Sequence, residues 1–242
     1  GADADPLVYA SRMSAKVDGC AVQDGGSIYH HSFFFTAEGR WAVVQQAMNP
    51  ESGYARRYHW LGEGVADFVE EPHAAVCADA AGGEVLNLVA AESAGARRAS
   101  ADAARRNPDR WVRELAGVKT LDLPARHDVR LSDIARGRLR KILLSTYEAP
   151  PEDFESLLGT PGVGPKTVRA LSLIAELVYG EPTAIRDPAR FSFAHGGKDG
   201  HPYPVDREAY DRTIAMLREW VNRAKVDRSE KRGALRRLAA LG

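Results

Sequence analysis

The sequence predicts an α+β protein, with an α+β module of antiparallel hairpins at residues 1–95 and an all-helical domain, which contains a helix-hairpin-helix, at residues 96–242. Runs rich in aromatic and β-branched residues, which are typical of strands, occur only before about residue 91. From Glu92 onward alanine and arginine dominate, and the apolar residues recur at helical spacing. These observations place the boundary between residues 91 and 96.

The N-terminal module begins with a predicted helix. Residues 6–17 carry apolar side chains at helical spacing, and Pro6 suits the first helical turn. Two strand pairs are predicted after it, and Gly39 supplies the positive φ that the first connecting turn needs. The predicted pairs are Ile28–Thr36 with Trp41–Gln46, and Ala74–Cys77 with Val85–Ala90.

Turn signals at Asn107-Pro108 and Leu123-Pro124 divide the second half of the chain into separate helices. Ser132 and Asp206 are residue types that favour the position before a helix. The helices predicted here are Asp133–Tyr147, Glu152–Leu158, Lys166–Tyr179, Arg207–Lys225 and Glu230–Leu241.

The formal net charge is zero, but the charges are segregated along the chain. Residues 1–96 carry 5 basic and 13 acidic residues, whereas residues 97–141 carry 13 basic and 6 acidic ones. Residues 218–242 carry 8 basic and 3 acidic residues. Because a ligand responds to the local field, the two basic segments favour a nucleic-acid partner, with a solvated basic helix face as the alternative.

The composition argues against a membrane protein. No stretch approaches the roughly 20 apolar residues of a membrane span, and residues 1–15 lack the basic and then apolar pattern of a secretory signal. We therefore expect a cytoplasmic protein with no membrane partner. Cys20 and Cys77 lack metal-ligand spacing, so both are expected to be reduced thiols in the core.

The segment Pro161–Thr167 (PGVGPKT) lies between two predicted helices. Its two glycines permit a tight turn, and Val163 between them is expected to point inward as a plug. Pro165 suits the first position of the next helix, whose positive end then faces a phosphate. The alternative is a tight corner between helices with an exposed lysine. The DNA-contacting residues predicted in this region are Gly162, Val163, Gly164, Lys166, Thr167 and Arg169.

With this motif and its flanking helices, residues 138–190 resemble the helix-hairpin-helix superfamily of DNA glycosylases, the endonuclease III type. The resemblance implies a role in DNA repair as a DNA glycosylase/AP lyase. It also implies that Lys166 is the nucleophile that forms a Schiff base with the sugar and that Asp187 assists it. In the alternative, Lys166 only contacts phosphate and Asp187 caps a helix. No cofactor is expected for this chemistry.

A larger part of the chain resembles an uncharacterised bacterial and archaeal family of unknown function. This resemblance implies no established activity. It does imply a further N-terminal region of the same protein, which is a possible partner of this chain. The segments that carry the resemblance are YASRMSAKVD at 9–18, WAVVQQ at 41–46, ARRYHW at 55–60 and DPARFSFAHGGKDG at 187–200.

The N-terminal half offers a second candidate function, a metal-dependent structure-specific nuclease. Carboxylate, imidazole and amide groups all ligate divalent ions, and Asp18, Asp24, His31 and Gln45 supply them. Adjacent strand residues point to opposite faces, so one of His30 and His31 faces inward. The alternative is a polar strand face that has no metal. A third function class is a DNA-binding module without catalysis.

Tyr54–Trp60 (YARRYHW) interleaves cations with aromatic residues. Such a mixture grips phosphates and stacks bases in proteins that bind single strands. Arg56 and Arg57 are therefore predicted to contact DNA, and packing of cations on aromatic rings within the fold is the alternative.

Overall fold

A computed structural model describes residues 4–49, 55–78, 84–115, 137–189, 207–224 and 227–239. The predicted α+β class is confirmed. The chain divides into two compact units, residues 1–192 and residues 193–242. The boundary predicted near residue 95 lies inside the first unit.

The first helix, α1 (Ala4–Cys20), confirms the prediction for residues 6–17 and extends it at both ends. Leu7, Ala10, Met13 and Val17 recur at helical spacing and are buried. Ser14 and Asp18 lie on the same buried side of the helix. This helix therefore brings polar groups, as well as apolar ones, into the interior.

Four strands form an antiparallel sheet in the order β2 (Ser27–Phe35), β3 (Trp41–Met48), β4 (Ala55–Leu61) and β5 (Ala75–Ala78). The β2–β3 hairpin is confirmed, and Gly39 in its turn has the expected positive φ, +85°. Val43, Tyr58 and Trp60 point from the sheet into the core and are at most 2% exposed. The opposite face of β2, β3 and β4 carries more exposed residues.

A second sheet has three short strands in the order β1 (Val22–Gln23), β6 (Leu86–Asn87) and β7 (Ala184–Ile185). The pairing predicted between Ala74–Cys77 and Val85–Ala90 is wrong, because β5 pairs with β4 and β6 pairs with β1 and β7. β4 itself was not predicted as a strand. β7 departs from the predicted all-helical half, since a two-residue strand carries too short a pattern to be read from alternation.

Helices complete the first unit: α2 (Ala94–Ala104), α3 (Pro108–Leu115), α4 (Gly137–Glu148), α5 (Phe154–Gly159) and α6 (Pro165–Tyr179). The helices predicted around residues 133–147, 152–158 and 166–179 are confirmed, and residues 132–136 lie outside the described residues. α2 packs against α6. One hydrophobic core joins both sides of residue 95, with Met13 of α1, Val43 of β3 and Leu171 of α6 among its members.

The second unit contains α7 (Arg207–Arg223) and α8 (Arg228–Ala239), which pack against each other and confirm the two predicted helices. Asp206, the predicted capping residue, lies outside the described residues. Across the described part of the chain, no helix has the length and apolar character needed to cross a membrane. Cys20 and Cys77 are free and buried, as predicted.

Candidate functional site

The predicted helix-hairpin-helix is formed by α5, a turn and α6. α5 begins with a reciprocal capping box: Ser156 N donates to Asp153 Oδ1 at 2.8 Å, and Asp153 N donates to Ser156 Oγ at 2.9 Å. The hydrogen bond from Ser156 N, followed by the one from its side chain, lowers the pKa of the Asp153 carboxyl. The local sequence therefore starts α5 at a defined residue.

The turn depends on a glycine with a positive φ. Gly162 has φ +86°, and Val163 N donates to Thr160 O at 3.2 Å. The Val163 side chain is buried between the helices, with 2% of its surface exposed. Gly164 is extended, and a Cβ added there would have no atom nearer than the Gly162 carbonyl oxygen at 4.0 Å. The Gly164 side of the turn is therefore open.

α1 and β1 hold the turn from behind through its carbonyl groups. Lys16 Nζ donates to Val163 O at 2.7 Å, and Gln23 Nε2 donates to Pro165 O at 2.9 Å. The first intrahelical hydrogen bond of α6 runs from Val168 N to Gly164 O at 3.0 Å, so the Lys166 and Thr167 amides precede it. The positive end of α6 is thus kept in a fixed place.

The six residues predicted to contact DNA in this region have different environments. Gly162 and Lys166 are exposed, and Gly164 is half-buried. Thr167 and Arg169 are buried, with 2% and 8% of their surfaces exposed, so their side chains do not reach the surface that a duplex would contact. Burial lowers the pKa of Arg169, and Glu176 opposes this shift.

A basic helix face adjoins the turn. A Cβ on Gly162 would lie 3.5 Å from Ile142 Cγ1, which shows that α4 passes beside the turn. Arg138 lies four residues before Ile142 and Lys141 lies three residues after Arg138; both are exposed, and residues three or four apart are neighbours on a helix surface. Arg140 is directed elsewhere and pairs with Asp109 at 3.0 Å. The sequence motif did not identify Lys16, Gln23, Arg138 or Lys141 as neighbours of the hairpin.

Arg56 and Arg57 point to opposite faces of β4. Arg56 Nε lies 2.6 Å from Asp24 Oδ2, and its two terminal nitrogens lie 2.5 and 2.8 Å from the two oxygens of Asp187. Burial would lower the pKa of Arg56, but Asp187 and Asp24 raise it. Arg57 is exposed on the other face. The prediction that Arg56 contacts DNA therefore conflicts with its engagement by two carboxylates.

Asp187 was predicted as a catalytic partner of Lys166. Its carboxylate binds Arg56 and also accepts a hydrogen bond from Ala189 N at 2.8 Å, two residues farther along the segment after β7. Only 7% of its side chain is exposed. Within the described part of the chain, no hydrogen bond or ion pair joins Lys166 to Asp187.

Three residues of the predicted metal site come together around Asp18. Gln45 Nε2 and Trp60 Nε1 donate to Asp18 Oδ2 at 2.5 and 2.9 Å. His31 Nδ1 donates to Gln45 Oε1 at 2.8 Å, because an amide oxygen only accepts. His31 therefore faces inward, while His30 bonds to Ser32 on the other face at 2.8 Å.

His73 also belongs to this network and, like Trp60, was not predicted as part of it. Its Nε2 donates to Asp18 Oδ1 at 2.6 Å, and its ring packs 4.8 Å from that of Trp60. No local pattern marks His73, because its partners lie in α1 and β4. The ring also lines a cavity of about 90 Å³, together with Glu71, Asn87 and Asp187.

Asp24, the fourth residue of the predicted metal site, belongs to the neighbouring Arg56 network. Gly26 N and the Tyr58 hydroxyl donate to it at 2.7 and 3.3 Å. Burial, then Asp24 and Asp18, raise the pKa of Tyr58, which keeps its hydroxyl a donor. Among the residues that the structure describes, no group of three or more His, Cys, Asp or Glu side chains is arranged to hold a metal ion.

Comparison with known proteins identifies a family but no activity. The model of a family described as "Protein of unknown function (DUF763)" matches residues 1–205. No curated protein and no solved structure matches the chain. These comparisons do not support the resemblance of residues 138–190 to the endonuclease III type.

Proposed function

The chain belongs to the family described as Protein of unknown function (DUF763), which carries no assigned activity, and we propose from the hairpin geometry that it binds the phosphate backbone of DNA. The contact surface, called the hairpin surface below, consists of Gly162, Gly164 and Lys166 with Arg138 and Lys141 of α4. The alternatives predicted from the sequence concern what the protein does to DNA once it is bound.

The open side of Gly164 is the observation that carries this proposal. A Cβ at this position would meet no atom nearer than the Gly162 carbonyl oxygen at 4.0 Å, although the residue directly precedes α6. A phosphate oxygen can therefore approach the free amides at the start of α6, where the helix dipole favours an anion. Lys16 and Gln23 hold the carbonyl groups behind the turn, so the amides keep their direction.

The charges around the turn support the same partner. Lys166 lies in the first turn of α6, and α4, which passes Gly162 at Ile142, carries the exposed Arg138 and Lys141. Three exposed cations around the free amides can contact successive phosphates of a DNA backbone. Contacts to phosphates do not distinguish one base from another. We therefore expect binding that depends strongly on salt and little on sequence.

The test is the salt dependence of duplex binding, measured by fluorescence anisotropy with a labelled duplex between about 50 and 200 mM salt. Lys166→Gln and Lys141→Gln should each weaken binding to all sequences and reduce the slope of log K against log salt by about 1. Arg140→Gln is the matched control on the same helix, because Asp109 holds that guanidinium away from the turn.

Gly164→Ser supplies a variant that changes shape without changing charge. Its side chain would occupy the open space in front of α6, so duplex binding should fall by at least about tenfold while the fold is retained. Unchanged binding in Gly164→Ser, together with unchanged salt slopes in the two lysine variants, would refute the proposal.

The lyase prediction concerns the same lysine and has its own assay. In that reaction the Lys166 amine adds to C1′ of an abasic sugar and water leaves, which forms an imine that borohydride reduces to a stable adduct. The adduct should be lost in Lys166→Ala. Asp187→Asn tests whether Asp187 assists. Because Asp187 pairs with Arg56, the folding stability of this variant must be measured as well.

A chelator arm separates the nuclease alternative from the lyase. Cleavage that a chelator abolishes and that Lys166→Ala retains would favour a metal-dependent site at Asp18, Asp24, His31 and Gln45. An adduct that forms in the presence of chelator would favour the lyase. DNA binding with neither reaction would favour a module without catalysis.

A further inference from the structure

We propose that the outward face of the four-stranded sheet binds single-stranded DNA. This surface, called the outer sheet face below, is formed by Tyr29, His30, Phe34, Arg57 and His59. It extends the proposed function from a duplex to an unpaired strand, and it uses residues that are separate from the hairpin surface.

The strand register assigns each side chain to a face. Val43 and Gln45 of β3 are buried and point to the core, so their neighbours Val44 and Gln46 point outward. His59 of β4 is paired with Val44, and Arg57 is paired with Gln46. On β2, His30 is opposite Gln46 and Phe34 is opposite Ala42. The same alternation sends Arg56, Tyr58 and Trp60 inward.

The described part of the outer sheet face contrasts with its segment of the chain, because residues 1–96 carry 13 acidic and only 5 basic residues. Among the described outward positions of β2, β3 and β4 there is an arginine and there are two histidines, but no aspartate or glutamate. These positions are Tyr29, His30, Ser32, Phe34, Ala42, Val44, Gln46, Met48, Ala55, Arg57, His59 and Leu61. Such a surface complements an anion within an otherwise acidic segment.

The Arg57 guanidinium on this face is held in place by the side chain of Gln46. Gln46 connects three strands when its amide oxygen is turned toward the guanidinium: the oxygen then accepts from Arg57 Nε and Nη2, each at 3.0 Å, and the amide nitrogen donates to the Tyr29 hydroxyl at 2.8 Å. These contacts leave Arg57 Nη1 for a phosphate. Because the guanidinium is already oriented, little side-chain entropy is lost when an anion binds.

Exposed aromatic rings lie on the same face as this cation: the Tyr29 hydroxyl contacts Gln46 beside Arg57, and Phe34 lies four residues beyond His30 along β2. Tyr29 and Phe34 of β2 are 57% and 54% exposed next to a buried core, and Tyr29 lies at the register shift between Ile28 and His30. Bases stack on such rings whatever their identity, and an interleaved cation engages the backbone. A duplex buries the faces of its bases, so the stacking surface selects an unpaired strand.

The test is binding of a fluorescent oligothymidine of about ten nucleotides, a length within the range of single-strand binding sites. Tyr29→Ala and Phe34→Ala should each weaken binding by about tenfold, and Arg57→Gln should weaken it and lower its salt dependence. Tyr147→Ala is the matched aromatic control, because Tyr147 is also exposed but lies on α4. Arg140→Gln is the matched charge control.

The outcomes separate this proposal from the proposed function. Loss of oligothymidine binding in the sheet variants with duplex binding retained supports the outer sheet face, even if the hairpin variants have no effect on either ligand. The proposal is overturned if the oligothymidine does not bind at low salt, or if only Lys166→Gln and Gly164→Ser weaken it. Sheet variants that change the oligomeric state in sedimentation, and not binding, would also overturn it, because the face would then be an interface between copies.

Discussion

Replacing Gly162 by alanine tests whether the hairpin turn requires a positive φ. Gly162 has φ +86°, where an L side chain costs roughly 1–2 kcal/mol. The added Cβ would lie 3.5 Å from Ile142 Cγ1, which is ordinary contact, so a steric clash adds nothing to this cost. Alanine also reduces the entropy of the unfolded chain, which offsets roughly 0.4–1 kcal/mol. We therefore expect Gly162→Ala to lower the free energy of unfolding by about 1 kcal/mol.

Urea denaturation followed by circular dichroism measures this free energy, and a thermal scan should show the midpoint falling by about 2–4 °C. Gly164→Ser is the control within the same turn. Gly164 is extended and precedes α6, so serine meets no backbone strain and is favoured as the capping residue. Its stability should match or slightly exceed that of the wild type.

A Gly162→Ala variant as stable as the wild type would refute the reasoning, because the turn would then not hold this residue in the left-handed region. The comparison also separates the two glycines by role. Gly162 should affect mainly stability, whereas Gly164→Ser should affect DNA binding and leave stability unchanged.

Three further predictions concern the polar groups. Asp18→Ala should lower the free energy of unfolding by about 3–5 kcal/mol in urea denaturation, because three buried donors lose their acceptor, and a loss below about 1 kcal/mol would contradict this. Asp153→Ala should cost about 1 kcal/mol by removing the cap of α5. Folding lowers the pKa of Asp153, so the stability difference between the wild type and Asp153→Ala should be full above the ordinary carboxyl pKa. It should disappear as pH falls through the pKa that Asp153 has in the folded protein. Burial, and then Arg57, lower the pKa of His59, so protonation of this imidazole opposes folding. The stability of the wild type relative to His59→Gln should therefore decrease as pH falls below about 6.5. A stability difference that stays constant between pH 7 and pH 5 would contradict this.

The sequence alone determined the features that depend on near neighbours along the chain. The helix-hairpin-helix was predictable because Asp153, Gly162 and Pro165 each act on backbone within a few residues. The β2–β3 hairpin was predictable for the same reason, since its strands adjoin a short turn that contains Gly39. In these segments the local pattern and the final structure agree.

The tertiary structure decided which distant segments pair. β5 and β6 each carry apolar residues, and the sequence pattern did not reveal that they join different sheets. β5 pairs with β4, whereas β6 pairs with β1 and β7. Backbone pairing between segments that are far apart depends on how the whole core closes, and periodicity does not encode that. His73 joined the Asp18 network for the same reason, because α1 and the sheet position its partners.

The adjacent arginines of β4 show the division most clearly. Alternation along a strand requires that Arg56 and Arg57 point to opposite faces, and the sequence contains that information. Which of them points inward depends on Asp24 and Asp187, which reach Arg56 from the segments that follow β1 and β7. A buried guanidinium needs carboxylate partners, so these contacts turn Arg56 into a structural residue and leave Arg57 on the surface.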